Sequence, residues 1–221
     1  NSIFKLFKLI KLLHFNDTYF MKDLFDQGPK KIIEGDYGEV EYVEDFLSYS
    51  EADSFFEILN SETPWERPLM KYYGKTYPIP RDTAWYGEKS YIYSGIRNKP
   101  NEMTDALKIL RSKVEERCSY SFNSLLINRY LNGNDKVGWH ADDEPELNNC
   151  KIIASVSLGA GRDFKIRKKN FDKSRDKVHK IFLEHGSLLI MRAPLQKFWE
   201  HEVPKKVLEN PRLNLTFRSV S

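Results

Sequence analysis

The sequence predicts a mainly β chain with flanking helices, arranged as a sandwich or barrel. After Ser119 the chain consists of short segments that are apolar or that alternate between apolar and polar residues. Turns rich in Gly, Asn, Pro or charge separate them, with no helices between, which is typical of a sandwich or barrel. Hydrophobic residues make up 40% of the 221 positions, enough for a substantial core. The predicted strands cover residues 124–131, 152–158, 163–167, 179–183, 187–191 and 213–219.

Two helices are predicted before these strands. The first begins at Ser48, because Ser48 and Glu51 have the spacing of a capping box and an apolar side follows. The second covers residues 102–118, where apolar residues recur on one helical stripe.

The first 40 residues are expected to form an N-terminal extension that is partly helical. Lys recurs at every third position between apolar residues in 3–13, a pattern that favours an amphipathic helix. The lysines interrupt what would be a signal-peptide core, and the run is shorter than the ~20 residues of a membrane span. Docking on the domain, contact with a membrane surface and a separate role all stay open.

Composition excludes two classes of protein. Charged residues make up 30% of the chain, which argues against stable membrane insertion, and the aromatic content of 14% argues against disorder. The two cysteines, Cys118 and Cys150, form neither a zinc pattern nor a disulfide framework. An intracellular, reducing compartment, the nucleus or the cytoplasm, is therefore expected.

The net charge of +3 is unevenly distributed. Residues 162–180 carry nine Lys and Arg against three Asp. A basic stretch of this kind can contact phosphates, and it can equally be a solvated loop.

Three residues have the spacing of a metal site. His140 and Asp142 are two positions apart, so that on an extended segment both side chains point the same way. Together with His201 they could form a facial set of two imidazoles and one carboxylate, which suits non-haem Fe(II). The alternative is a chance H-x-D tripeptide with structural histidines.

The segment 212–218 alternates strictly between polar and apolar residues. Arg212, Asn214, Thr216 and Arg218 share one face. Two arginines inside a barrel would be costly without anions to pair with, and guanidinium groups match carboxylates two bonds at a time. The alternative is an edge strand whose polar face lies in solvent. Asn128 and Tyr130 form a similar polar face just before the H-x-D segment.

These motifs resemble the AlkB family of Fe(II)- and 2-oxoglutarate-dependent dioxygenases, in particular its animal-type nucleic-acid demethylase branch. The similarity extends over about residues 40–220 and includes the segments 80–87, 122–130, 153–160 and 185–191. The resemblance implies a double-stranded β-helix, or jelly roll. It also implies a catalytic domain over 41–221, with a nucleotide-recognition part (41–120) and a jelly-roll core (121–221).

The resemblance implies a role for each motif residue. His140, Asp142 and His201 would hold Fe(II) and be the catalytic centre. Arg218 would pair with the distal carboxylate of 2-oxoglutarate, aided by Tyr130. Asn128, Arg212 and Asn214 would help fix the cosubstrate, chiefly near its metal-chelating end. With O2, the reaction would demethylate N-alkylated bases of the 1-methyladenine and 3-methylcytosine type and release formaldehyde, succinate and CO2.

The implied partner is nucleic acid, alkylated DNA or also RNA, and the protein is expected to be a monomer. The target base would be flipped out or single-stranded. Tyr93 would stack on it, with Tyr91 nearby, and an aromatic loop would fill the vacated stack. The candidate substrate residues are Tyr72, Tyr73, Gly74, Arg81, Tyr91, Tyr93, Asp143 and Glu144. An RNA demethylase of the same family and a non-catalytic nucleic-acid-binding jelly roll are the alternatives.

Overall fold

The computed structural model describes residues 28–72, 74–87, 91–93, 96–98, 100–147 and 149–221. Within these residues the helices are α1 (Tyr49–Glu62), α2 (Asp105–Cys118) and α3 (Leu195–Phe198), with a 3-10 turn at Pro145–Leu147. The strands of the first half are β1 (Lys30–Ile33), β2 (Glu39–Val43), β3 (Leu69–Tyr72), β4 (Lys75–Pro78), β5 (Asp82–Gly87), β6 (Tyr91–Tyr93) and β7 (Ile96–Asn98). Those of the second half are β8 (Ser124–Tyr130), β9 (Val137–His140), β10 (Ile152–Gly159), β11 (Arg162–Lys168), β12 (His179–Leu183), β13 (Leu188–Arg192), β14 (Trp199–Val203) and β15 (Arg212–Arg218).

The strands form two main antiparallel sheets, as a jelly roll requires. The large sheet has the order β1-β2-β13-β10-β15-β8-β5, and the small sheet has the order β12-β11-β14-β9. Two hairpins, β3–β4 and β6–β7, lie outside these sheets. The predicted fold class, mainly β with flanking helices in a double-stranded β-helix, is confirmed.

Both predicted helices are present and pack on the large sheet. The Ser48 hydroxyl accepts a hydrogen bond from the Glu51 backbone N–H, and the Glu51 carboxylate accepts one from the Ser48 N–H, which completes the capping box. Helix α2 starts three residues later than predicted, after its N-cap Thr104. Apolar residues of both helices and of the large sheet form one buried cluster. The helices therefore cover one face of the sheet, and its other face is left for the site.

The alternation of β15 decides what each face of the large sheet contains. Leu213, Leu215 and Phe217 are fully buried in the cluster shared with the helices. The polar residues of β15 turn to the opposite face, where a second apolar cluster joins the large sheet to the small one. The alternative of a solvent-exposed polar face is wrong, because Arg212 and Arg218 are only 1% and 3% exposed.

Several strands were missed by the sequence pattern. Strands β9 and β14, which hold the two histidines of the proposed metal site, were not predicted. Strands β1 and β2 pair with each other, and β2 pairs with β13, so the large sheet includes residues from the expected extension. Its boundary with the domain, at residue 40, falls inside β2, and the division itself stays a prediction. Among the described residues, no helix is long and apolar enough to cross a membrane.

Candidate metal centre and cosubstrate pocket

The three predicted metal ligands lie together at one end of the cavity between the sheets. His140 at the end of β9 is the cross-strand partner of His201 on β14, and their ring centroids are 4.3 Å apart. Asp142 follows β9, with its Oδ1 4.0 Å from the His140 Nε2. Each residue offers one ligand atom, and these atoms lie within 4.8 Å of one another. The chain folds into the two-imidazole, one-carboxylate set that the spacing predicted.

The protonation states of these residues fit a divalent cation. The His140 Nδ1 lies 2.8 Å from the Gly138 carbonyl oxygen; as an N–H donor there, it leaves Nε2 as the ligand atom. Burial, and then the neighbouring His140, lower the pKa of His201 to about 3, so this imidazole is neutral at pH 7. Burial raises the pKa of Asp142, but Arg218 and the two imidazoles lower it more, to a net value of about 2. A neutral imidazole and an ionised carboxylate are the forms that bind metal.

Two further side chains orient Asp142. The Arg218 Nη2 donates to its Oδ1 at 2.9 Å, and both side chains are at least 96% buried. The backbone N–H of Asp142 donates to the Gln196 Oε1 at 3.0 Å. Sequence reasoning missed Gln196, which lies on the short helix α3, and no motif distinguishes it. Outer contacts of this kind orient a metal ligand and influence its affinity.

A cavity that opens to solvent extends from the ligand triad along the inner face of the large sheet and, with its solvent-filled mouth, measures about 500 Å³. Most of its polar lining comes from three adjacent strands, because β15 pairs with both β8 and β10, and Arg81 just before β5 adds to it. Leu126, Phe164 and Met191 add apolar walls, and Phe164 stacks on His201 with 5.1 Å between ring centroids. The polar lining outside the triad consists of Arg81, Asn128, Tyr130, Ser155, Asn214, Thr216 and Arg218.

The two arginines of β15 lie at opposite ends of this face. They are six positions apart along the strand, so their Cα atoms are about 20 Å apart. Arg218 is at the metal end, bonded to Asp142. Arg212 is cross-strand partner to Tyr130, and its guanidinium carbon is 5.2 Å from the Tyr130 ring centroid. The expectation that Arg218 holds the far end of the cosubstrate stays a prediction, and its bond to Asp142 places the Arg218 guanidinium at the metal end instead.

Arg212 is a fully buried cation with spare donors. Its Nη2 donates to Ser157 Oγ at 2.9 Å and to Asn214 Oδ1 at 2.7 Å. In the described part of the chain its Nε and Nη1 have no hydrogen-bond partner. A buried guanidinium in this state fits an anionic group such as a carboxylate.

The basic stretch 162–180 is not one basic surface. Arg162 is fully buried and donates to backbone carbonyls. Five other basic residues are ion-paired: Lys165 with Glu202, Arg167 with Glu200, Lys169 with Asp143, Arg175 with Asp172 and Lys180 with Asp163. The exposed lysines that remain are Lys168, Lys173 and Lys177. Because carboxylates neutralise most of the stretch, its phosphate-binding capacity is smaller than the sequence suggested.

The candidate substrate residues lie in several places. Arg81 is in the cavity, where its Nε donates to Asn128 Oδ1 at 2.9 Å. Asp143 is exposed, and Glu144 is half-buried in the turn beside it. Gly74 has a φ of 74°, as expected for a glycine in the β3–β4 turn. Tyr73 and the side chains of Tyr72, Tyr91 and Tyr93 lie outside the described residues, so the stacking and wedge roles stay predictions.

An ion-pair network closes the base of the β3–β4 hairpin. Arg67 precedes the hairpin, and its Nε donates to Asp82 Oδ1 at 2.7 Å. Arg129 on β8 donates to Asp82 Oδ2 through Nε and Nη2, at 3.1 and 2.8 Å. Arg67 also reaches Asp135 Oδ2 at 3.4 Å. The network connects the hairpin to the strand that carries Asn128 and Tyr130.

The fold and this site agree with one superfamily of proteins. Residues 39–218 match the 2OG-Fe(II) oxygenase superfamily, whose members use Fe(II), 2-oxoglutarate and O2. Within that superfamily, the chain belongs to the AlkB family.

Named relatives support this assignment. The chain is 47% identical over 182 residues to the alpha-ketoglutarate-dependent dioxygenase alkB homolog 3 of Bos taurus, covering 79% of this chain and 64% of that protein. It is 39% identical over 182 residues to the DNA oxidative demethylase ALKBH2 of Mus musculus, covering 77% of this chain and 76% of that protein. The solved structure of OsALKBH1 superposes with a TM-score of 0.61 over 86% of this chain and 100% of that chain, at 19% identity, and supports the fold. This chain thus spans just under two thirds of the length of the bovine protein.

Proposed function

We propose that this chain is an oxidative demethylase of N-alkylated bases in nucleic acid, with DNA as its main substrate class. The observation that carries the proposal is the cavity itself: a His–Asp–His triad at one end and, beyond its other end, a buried arginine with two unbonded donors. One relative is named a DNA oxidative demethylase, which supports nucleic acid as the substrate.

His140, Asp142 and His201 would hold Fe(II) on one face and leave the opposite face open to ligands. When bound, Fe(II) and 2-oxoglutarate supply the O2 activation that oxidises an N-methyl group, with succinate, CO2 and formaldehyde as products. Arg218 keeps Asp142 ionised and oriented. The apolar walls, including Phe164 against His201, exclude water from the metal end.

Arg212 and Tyr130 would hold the distal carboxylate of 2-oxoglutarate. This assignment exchanges the roles expected for the two β15 arginines. Arg218 lies at the metal end in an ion pair with Asp142, whereas Arg212 lies opposite Tyr130 and forms no ion pair with a carboxylate of the described residues. Asn214 supports it by accepting from Arg212 Nη2 and donating to Thr216, which keeps the polar face of β15 ordered. Asn128 is held by Arg81 in the same cavity and would orient the middle of the cosubstrate.

The test is an assay with single- and double-stranded oligonucleotides that contain 1-methyladenine, 3-methylcytosine or N6-methyladenine, in DNA and RNA. The protein is incubated with Fe(II), 2-oxoglutarate and ascorbate, and the bases are quantified by mass spectrometry. We expect loss of methyl groups from 1-methyladenine and 3-methylcytosine in DNA, with equal amounts of formaldehyde. The variant His201→Ala serves as the control and should show none.

The outcomes separate the candidate functions. Demethylation confined to the RNA oligonucleotides would replace the DNA assignment with an RNA demethylase. Binding of oligonucleotides without any turnover would favour a non-catalytic module. Turnover in His201→Ala equal to that of the unmodified chain would refute the metal site.

A further inference from the structure

Arg162 is a second buried guanidinium beside Tyr130, and the family resemblance gives it no role. Its side chain is fully buried, and its guanidinium carbon is 5.5 Å from the Tyr130 ring centroid. Arg212 lies 5.2 Å from the same ring. Tyr130 is therefore in contact with two cations, on strands that approach it from different sheets.

Nearby carboxylates only partly offset the charge of Arg162, because burial lowers its pKa more than Tyr130, Asp135 and Asp163 raise it. Its Nη2 donates to the carbonyl oxygens of Asp135 and Pro204, at 2.9 and 2.6 Å, and its Nη1 lies 3.4 Å from that of Asn132. Its Nε makes no hydrogen bond with the described residues, and no ion pair joins either Arg162 or Arg212 to a carboxylate among them. The carbonyls fix the position of the guanidinium but do not neutralise it.

Two buried like charges are unfavourable unless an anion compensates them. Burial, and to a smaller extent the charge of Arg162, lower the pKa of Arg212 to about 10, although Tyr130 opposes the shift. An anionic group bound beside Arg212 would be attracted by both guanidinium groups and would offset their mutual repulsion. Only a ligand with a negative charge near Arg212 would gain binding energy from this attraction.

We propose that Arg162 is a specificity-determining residue that makes the cavity select a 2-oxo acid with a distal carboxylate, by adding its own charge to that of Arg212 across Tyr130. The inference rests on the proposed function, in which Arg212 holds that carboxylate. Arg162 acts through space and through the position of Tyr130, so it is a positioning residue. Because both guanidinium groups contact the same ring, the charge of Arg162 is close enough to change the affinity for a carboxylate at Arg212 by about tenfold in a partly polar interior.

The test compares two ligands that differ only at the distal end. The full chain is loaded with Mn²⁺, and the binding of 2-oxoglutarate and of 2-oxopentanoate, whose five-carbon chain ends in a methyl group, is measured by calorimetry. Arg162→Gln should weaken the binding of 2-oxoglutarate about tenfold and change that of 2-oxopentanoate less than about twofold. Arg162→Lys keeps the charge and should retain most of the preference for 2-oxoglutarate.

Each result decides the matter. If Arg162→Gln weakens the binding of both ligands equally, the role of Arg162 is merely structural and the inference is overturned. The inference is also overturned if Arg162→Lys, which keeps the charge, loses as much of the preference for 2-oxoglutarate as Arg162→Gln does. If Arg162→Gln does not fold, Arg162→Met, which keeps the apolar stem, carries the same expectation. Arg212→Gln is the reference variant. If Arg212→Gln still prefers 2-oxoglutarate over 2-oxopentanoate, the proposed position of the cosubstrate is wrong. If Arg212→Gln loses this preference and Arg162→Gln keeps it, only the role of Arg162 is refuted.

Discussion

Gln196 should control how tightly the metal centre binds its ion. Its Oε1 accepts the backbone N–H of Asp142 at 3.0 Å, and that N–H belongs to a metal ligand. The Gln196 amide nitrogen lies 3.5 Å from the Met191 sulfur, so the side chain is held at both ends. Replacing Gln196 by Ala removes the acceptor and frees the segment that presents the Asp142 carboxylate.

The size of the effect follows from these contacts. A buried N–H that loses its partner costs about 1–3 kcal/mol. Gln196 is only half-buried, so water can partly replace it, and the lower end of that range applies. About 1.4 kcal/mol is a factor of ten in an equilibrium constant, and outer contacts of metal ligands typically change affinity about 10–100-fold. We therefore expect Gln196→Ala to bind Mn²⁺ about tenfold more weakly.

The measurement is a Mn²⁺ titration of the metal-free chain by calorimetry. Lys197→Ala is the matched control, because Lys197 is the exposed neighbour on the same helix and loses a side chain of similar length. Urea unfolding of the metal-free variants checks that their stabilities are comparable. Equal Mn²⁺ affinity in the two variants would refute the reasoning and would mean that the Gln196–Asp142 hydrogen bond does not influence metal binding.

Three other perturbations test the remaining features. Asp82→Asn should lower the free energy of unfolding in urea by about 2–3 kcal/mol, because a buried carboxylate loses its charge between two partly exposed arginines. Asp105→Asn is the control: it removes an exposed pair with Lys108 and should change the free energy of unfolding by less than about 1 kcal/mol. Equal effects of the two substitutions would contradict the role of the network. Changing Lys168, Lys173 and Lys177 together to Gln should weaken oligonucleotide binding similarly for all sequences and flatten its log–log dependence on salt, whereas an unchanged slope would mean that these lysines do not contact phosphates. Burial raises the pKa of Cys118 to about 11, so little thiolate forms at pH 8. A thiol reagent should therefore label Cys118 far more slowly in the native chain than in the unfolded chain. Comparable labelling rates would mean that the Cys118 thiol is accessible in the native chain.

The amino-acid sequence determined the local structure and the chemical character of the site. The capping box at Ser48 and Glu51 and the alternation of β15 are short-range patterns, and they predicted where a helix starts and which β15 residues turn inward. The spacing of His140 and Asp142 predicted that both side chains point to the same side of the chain. This follows from the two-residue period of an extended segment and depends on no other part of the fold. Resemblance at the motifs then supplied the family and its cofactors.

Only the tertiary structure decided which residues meet and what each charge faces. His140 and His201 are 61 positions apart, and the pairing of β9 with β14 brings them together. The sequence did not distinguish Arg162, buried among carbonyls, from the paired and exposed basic residues that follow it. It also did not tell which β15 arginine lies at the metal end, since both have the same periodicity. Burial and ion pairing depend on strands distant along the chain, and a local pattern contains no information about those neighbours.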